Sequence, residues 1–189
     1  MGHVVCAQEA WAQLELDVVL FVPVGEAPHR TLEADPGAEV RVSLCERAVA
    51  GDERFQVSRV EVDRAGPSYT VDTLSGLAGD SPDAELVLIL GGDQAATLPS
   101  WHRPEEVVRL ATVATVERAG GRRGEISEQV ASVGGVPVFF TMPRIDVSSS
   151  SIRERLAAGG PIRYLVPAGV AELIVERGLY SAPAAVGAG

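Results

Sequence analysis

The chain has 189 residues, 46% of them hydrophobic and 22% charged, which suits one globular domain with a full hydrophobic core. A formal charge of −10 argues against a polyanion-binding face, so no nucleic-acid partner is expected and any phosphate ligand must be met by local groups. No apolar run reaches the length of a membrane span, and no basic segment leads an apolar one at the start, so no membrane partner is expected and the location reads as cytoplasmic. All 16 basic residues are arginine, which gives local recognition planar bidentate forks, although a coding bias explains the same count. Cys6 and Cys45 stand among apolar neighbours and read as small buried hydrophobes. The three histidines have no zinc-ligand spacing, and no metal site is expected.

In chain order, Val4, Ala7, Trp11 and Leu14 share one face and predict a helix over 4–15, directly behind His3. The continuous apolar run 17–23, ended by Pro23, predicts a parallel strand covered on both faces, followed by a loop over 24–30. Val40, Leu44 and Val49 predict a helix from about Pro36 to Gly51. The alternation of Phe55, Val57, Val60 and Val62 predicts a strand broken at 65–68. A helix over 69–77 opens with hydroxyls and an acid in its first turns, the expected capping chemistry. Leu86 to Leu90 is a strand that ends in Gly91-Gly92-Asp93.

Next come a short helix at 94–98, a turn at 99–102, a helix at 104–109 and a strand at 111–116. A loop over 117–124 leads to a helix at 125–132 and a strand at 136–141, with Val136 taken as a core residue. The stretch Asp146-Val-Ser-Ser-Ser-Ser-Ile-Arg153 then opens a helix to about Ala158, and a last helix runs over 170–177. Strands alternating with helices give a parallel sheet with helices on both faces, an α/β doubly wound architecture in one domain over 1–189, with 181–189 a frayed tail.

The chemistry-bearing residues sit at strand ends. Four serines at a helix start, with Arg153 one turn in, offer unpaired backbone N–H groups and a partial positive charge to a phosphate, or they are a plain N-cap or linker. Asp93 is either a turn residue or a carboxylate for a ribose hydroxyl. Trp101 is either a half-buried aromatic or a stacking platform. Thr70 and Thr73 read as helix-start caps, and His3 alone reads as a helix-start residue without a role. Hydroxyls, glycines and arginines such as Arg118 and Arg153 suit transfer of a phosphoryl or nucleotidyl group, which needs positioning and charge stabilisation more than covalent chemistry.

Taken together, the segments resemble the bacterial nicotinate-nucleotide adenylyltransferases, within the nucleotidyltransferase superfamily marked by His-x-Gly-His and Ile-Ser-Ser-Thr-x-x-Arg motifs. Phe21 to Arg30 is similar to the family's Phe-Val-Pro-x-x-x-Pro-Pro-His-Lys, with Ala27 and Arg30 as departures. Ser68-Tyr-Thr-Val-Asp-Thr-Leu74 is similar to its Ser-Tyr-Thr-x-Asp-Thr-Leu segment, and Gly91-Gly-Asp93 with Leu98-Pro-Ser-Trp101 to its Gly-x-Asp and Leu-x-x-Trp pair. Val116 to Gly120 is similar to its Val-x-Arg-Pro-Gly with the proline replaced by Ala119, and Val147 to Arg153 to its serine motif. The resemblance runs from residue 1 to about 180.

It implies transfer of AMP from ATP to nicotinate mononucleotide, giving nicotinate adenine dinucleotide and pyrophosphate in NAD biosynthesis. His3 and Arg153 would be the catalytic pair at the ATP phosphates, with Ser149, Ser150, Ile152 and Arg118 beside them. Gly91 and Asp93 would line the adenosine, and Thr70, Thr73, Trp101 and His102 the pyridine mononucleotide. Mg2+ would enter with ATP. A phosphopantetheine-type adenylyltransferase and a non-catalytic nucleotide-binding module remain as alternatives, and a homo-oligomer is left open.

The family pattern opens with Gly-Gly-x-Phe-Asp-Pro-x-His-x-Gly-His, whereas this chain opens at Met1-Gly2-His3. The expectation is a Rossmann-like nucleotidyltransferase sheet without its first, internal strand, with Met1 an internal methionine of a longer natural protein. Ladder groups left unpaired inside a sheet are costly, so the chain as given is expected to fold poorly or turn over slowly.

Overall fold

The computed structural model describes residues 1–27, 35–117 and 122–180. Helix α1 (Gly2–Gln13) leads to strand β1 (Val19–Phe21), α2 (Ala38–Val49), β2 (Phe55–Val57), α3 (Thr70–Asp80) and β3 (Val87–Leu90). Then follow α4 (Gly92–Ala96), a 3₁₀ turn (Leu98–Ser100), α5 (Pro104–Leu110), β4 (Thr112–Glu117), α6 (Arg123–Ser132), β5 (Val138–Thr141), α7 (Ser149–Ala157) and α8 (Ala168–Glu176).

Every strand pairing is parallel, as an α/β chain with a helix in each crossover requires. β1 lies beside β2 with Val19 opposite Phe55, and β4 lies between β3 and β5 with Leu88 opposite Val113 and Ala114 opposite Val138. Among the described residues the ladders form a pair and a triplet, not one continuous sheet, so β1 and β3 each pair on one side. Helix α1 ties the two together. Ala7 packs with Val19, Val49 and Phe55, while Ala10, three residues on and on the same face, packs with Ala114, Val116 and Phe140. Ile89 of β3 touches both groups.

β4 is covered on both faces. Ala114 and Val116 point to α1, and Val113 enters the largest cluster, with Val71, Leu98, Val107 and Val130. Thr115 on that second face is 0% exposed, and its hydroxyl has no hydrogen-bond partner among the described residues. A fourth cluster, Ile152, Ile162, Val166 and Ile174, joins α7 to α8, which packs on α2.

Three expectations are corrected. The strand over 55–62 ends at Val57: Ser58 N–H makes a last bond to Phe21 O (2.9 Å), and the chain then turns through Asp63 N–H to Arg59 O (2.9 Å). Val60 instead faces α3 at Gly76, so its alternation with Val62 is a turn that happens to carry two valines. Val136 is 82% exposed, and its strand begins only at Val138, after Pro137, which has no N–H to give a ladder. Helix α3 carries no side-chain cap: its N-cap residue is Tyr69, and Thr73, a turn further in, gives its hydroxyl to Glu61 instead. Both cysteines are free and half-buried, and burial raises their thiols above the ordinary value.

Candidate active site

The serine run divides its labour. Ser148 is the N-cap of α7: its Oγ accepts from Ser151 N–H (3.0 Å), and Ser151 Oγ accepts from Ser148 N–H (3.1 Å). The arrangement is a capping box with serine in the place usually held by glutamate. Ser149 and Ser150 stay exposed in the first turn, where backbone N–H groups have no partner within the helix. Arg153 Nη2 donates to Ser150 Oγ (3.2 Å). Two hydroxyls, free amides and a guanidinium therefore meet at the positive end of a nine-residue helix, a setting suited to an anion. Ile152 turns inward to Ile162, Val166 and Ile174 and gives its N–H to Ser148 O (3.1 Å), so it anchors this turn. Tyr180 packs on the same cluster, and burial raises its phenol while Arg153 and Arg41 act against that rise.

At the exit of β3, Gly91 is extended and caps α4, and the Asp93 side chain is 91% exposed. Arg122 Nη1 stands 3.4 Å from Asp93 Oδ1 and also grips Glu125. That guanidinium holds the Glu125 carboxyl below its usual range. The starts of α4 and α6 are thereby linked, and Arg118 lies outside the described residues.

A third group gathers between α3 and the 3₁₀ turn. The rings of Tyr69 and His102 stack with centroids 4.3 Å apart at 33°, beside Thr70, the first residue of α3. Trp101 packs against the largest cluster, and its Nε1–H donates to Thr97 Oγ1 (3.2 Å). Thr73, 6% exposed, donates to Glu61 Oε1 (2.8 Å), so its hydroxyl braces the wall behind the group.

The Val24–Glu26 loop is fixed from two sides. Ser68 Oγ accepts from the N–H groups of Gly25 (3.1 Å) and Glu26 (3.2 Å). From α2, Arg41 donates to Val24 O (2.8 Å) and Gly25 O (2.8 Å) and pairs with Asp35. His3 sits exposed in the first turn of α1, and among the described residues no hydrogen bond or ion pair joins it to Arg153.

Sequence reading did not single out Arg41, Tyr69, Thr97 or the loop-fixing role of Ser68. Ser68 and Tyr69 lay inside the matched segment, whereas Arg41 shares α2 with a second arginine, Arg47, and no sequence signal set it apart. Thr97 carried none.

The model of the cytidylyltransferase-like family matches residues 1–155. A Saccharopolyspora erythraea protein named "Probable nicotinate-nucleotide adenylyltransferase" is 42% identical over 179 residues, 95% of this chain and 82% of that protein. The chain belongs to the nicotinate-nucleotide adenylyltransferase family. Relatives of the same name from Geobacillus thermodenitrificans (40% identical, 98% of this chain and 82% of that protein) and Streptomyces coelicolor (40%, 95% and 93%) extend the match. The fold agrees: the Plasmodium falciparum nicotinic acid mononucleotide adenylyltransferase complexed with NaAD superposes with a TM-score of 0.72 at 16% identity, covering 95% of this chain and 89% of that one. Membership accounts for the parallel α/β architecture and for the order in which the serine, glycine and tryptophan segments occur.

Proposed function

We propose that this chain transfers AMP from ATP to nicotinate mononucleotide, a step of NAD biosynthesis carried out in the cytoplasm. A phosphate oxygen of the mononucleotide attacks the α-phosphorus of ATP, the bond from that phosphorus to the bridging oxygen breaks, and pyrophosphate leaves with the electron pair. The attacking phosphate is already ionised at neutral pH, so no general base is required, and catalysis is positioning and charge stabilisation.

The reading is carried by the start of α7, where Ser149, Ser150 and Arg153 remain available to an anion because Ser148 and Ser151 have taken over the cap. Arg153 stabilises charge developing on the phosphates, with the two serines donating beside it, Ile152 anchoring the turn and His3 contributing from α1; Arg118, which lies outside the described residues, is assigned to the same phosphates by the family motif alone. Gly91 permits close backbone approach to the adenosine and Asp93 accepts from a ribose hydroxyl. Trp101 and His102 offer ring faces to the pyridine, Thr70 a hydroxyl, and Thr73 supports that wall through Glu61. Magnesium would enter as a companion of the triphosphate and be held by the phosphate oxygens. When bound, it neutralises phosphate charge and steadies the leaving pyrophosphate.

Pyrophosphate release measured with ATP and a panel of nicotinate mononucleotide, nicotinamide mononucleotide and phosphopantetheine tests the reading. Turnover with nicotinate mononucleotide is expected. Turnover with phosphopantetheine alone would reassign the substrate, and calorimetric ATP binding without release would make the chain a binding module.

A further inference from the structure

The Trp101 ring is held by a polar neighbour outside the recognition motifs, Thr97. The backbone of the turn fixes where Trp101 starts: Ser100 N–H donates to Thr97 O (2.9 Å) and Trp101 N–H to Leu98 O (3.0 Å), with Leu98 wholly buried beneath. Those bonds set the backbone of Trp101, and packing against the largest cluster confines one side of its ring without aiming the indole N–H. Thr97 Oγ1 supplies the polar contact that aims it. Its proton goes to Gln94 O (2.9 Å), which orients its lone pairs, and the indole N–H of Trp101 donates to it (3.2 Å). Gln94 lies on α4 next to Asp93, so the ring's orientation is referred to the same short helix that carries the carboxylate. His102, the next residue, is stacked on Tyr69, so the two neighbouring rings are held by different partners.

We propose that Thr97 is a positioning residue that presets the Trp101 ring for the pyridine of the mononucleotide. This rests on the substrate reading above. A preset ring loses no rotational freedom when a ligand stacks on it, so loss of the hydroxyl weakens mononucleotide binding and leaves the phosphate chemistry intact.

The test uses Trp11→Phe protein, in which Trp101 is the sole tryptophan, since the chain has two. Thr97→Val keeps the shape and removes the hydroxyl, and Thr97→Ser keeps the hydroxyl. Thr97→Val is expected to raise the KM for nicotinate mononucleotide about three- to tenfold, the range of one net hydrogen bond. The KM for ATP, kcat and Tm are expected to hold, and Thr97→Ser to restore the mononucleotide KM. Time-resolved anisotropy of the ligand-free protein is expected to show a more mobile indole in Thr97→Val and not in Thr97→Ser. An unchanged mononucleotide KM in active protein, or equal losses for ATP, overturns the proposal. If the parent protein does not use nicotinate mononucleotide, the substrate reading fails, and an indole equally rigid in both variants then overturns the role of Thr97 by itself.

Discussion

Ser148 and Ser151 each accept a hydrogen bond from the other's backbone N–H, at 3.0 and 3.1 Å, and this reciprocal pair frees the two serines between them. A run of identical residues thus has two jobs set by helical position alone. Ser148→Ala removes the cap and is expected to cost about 1 kcal/mol of stability in urea unfolding. Ser149→Ala leaves the cap intact and is expected to raise the KM for ATP with no change in the unfolding midpoint. Equal destabilisation by the two substitutions would show that the cap is shared along the run.

Arg153 is half-buried and donates to a neighbouring serine hydroxyl, and among the described residues no carboxylate pairs with its charge. Such a group contributes little to folding and much to a developing phosphate charge. Arg153→Ala is expected to lower kcat/KM for ATP about 100-fold, the scale of removing one charge-stabilising donor, with Tm within a degree or so of the parent. A large fall in Tm would mean that the arginine holds α7 in place and that its effect on turnover is indirect.

The parallel α/β architecture was legible because the apolar runs at 17–23 and 86–90 are too short for buried helices and alternate with helical periodicity. Strand lengths were less legible. Ladder bonds stop at Val57 and start at Val138, whereas valine alternation continues through Val62 and begins at Val136, because period two is satisfied equally by a turn. The candidate site was legible residue by residue where a motif marked it, at Gly91, Trp101 and Ser149. The parts that hold it were not: Thr97 and Arg41 each act through one polar side chain, and an isolated polar residue leaves no periodic trace.

Helix α1 packs into both the cluster with Val19 and the cluster with Val116, through Ala7 and Ala10. At these positions methyl side chains let the helix lie close to both sets of strands. Ala10→Leu inserts a larger group at a site with 0% exposure and is expected to destabilise by about 1–3 kcal/mol. Hydrogen exchange is expected to protect Val113 to Val116 most, since β4 is paired on both sides, and to show β1 and β2 opening first. Equal protection in the pair and the triplet would show that they unfold as one unit despite the divided ladder.

Two glycines give the same substitution opposite signs. At Gly25 an added Cβ would lie 2.2 Å from Glu61 O, a backbone atom that no side-chain rotation can move. The loop cannot shift away either, because Ser68 Oγ accepts from Gly25 N–H while Arg41 donates to its carbonyl. Gly25→Ala is therefore expected to destabilise by about 1–3 kcal/mol, on the scale of overpacking, and to displace the loop that leads toward the Tyr69 segment. Gly79 stands near the end of α3 with nothing within 4 Å of its added Cβ and no positive φ. Gly79→Ala is expected to stabilise by about 0.4–1 kcal/mol, because alanine narrows the unfolded ensemble and suits a helix. Urea midpoints of the two variants check both signs, and a stable Gly25→Ala protein with unchanged kinetics would show that the loop is free to move away from Glu61.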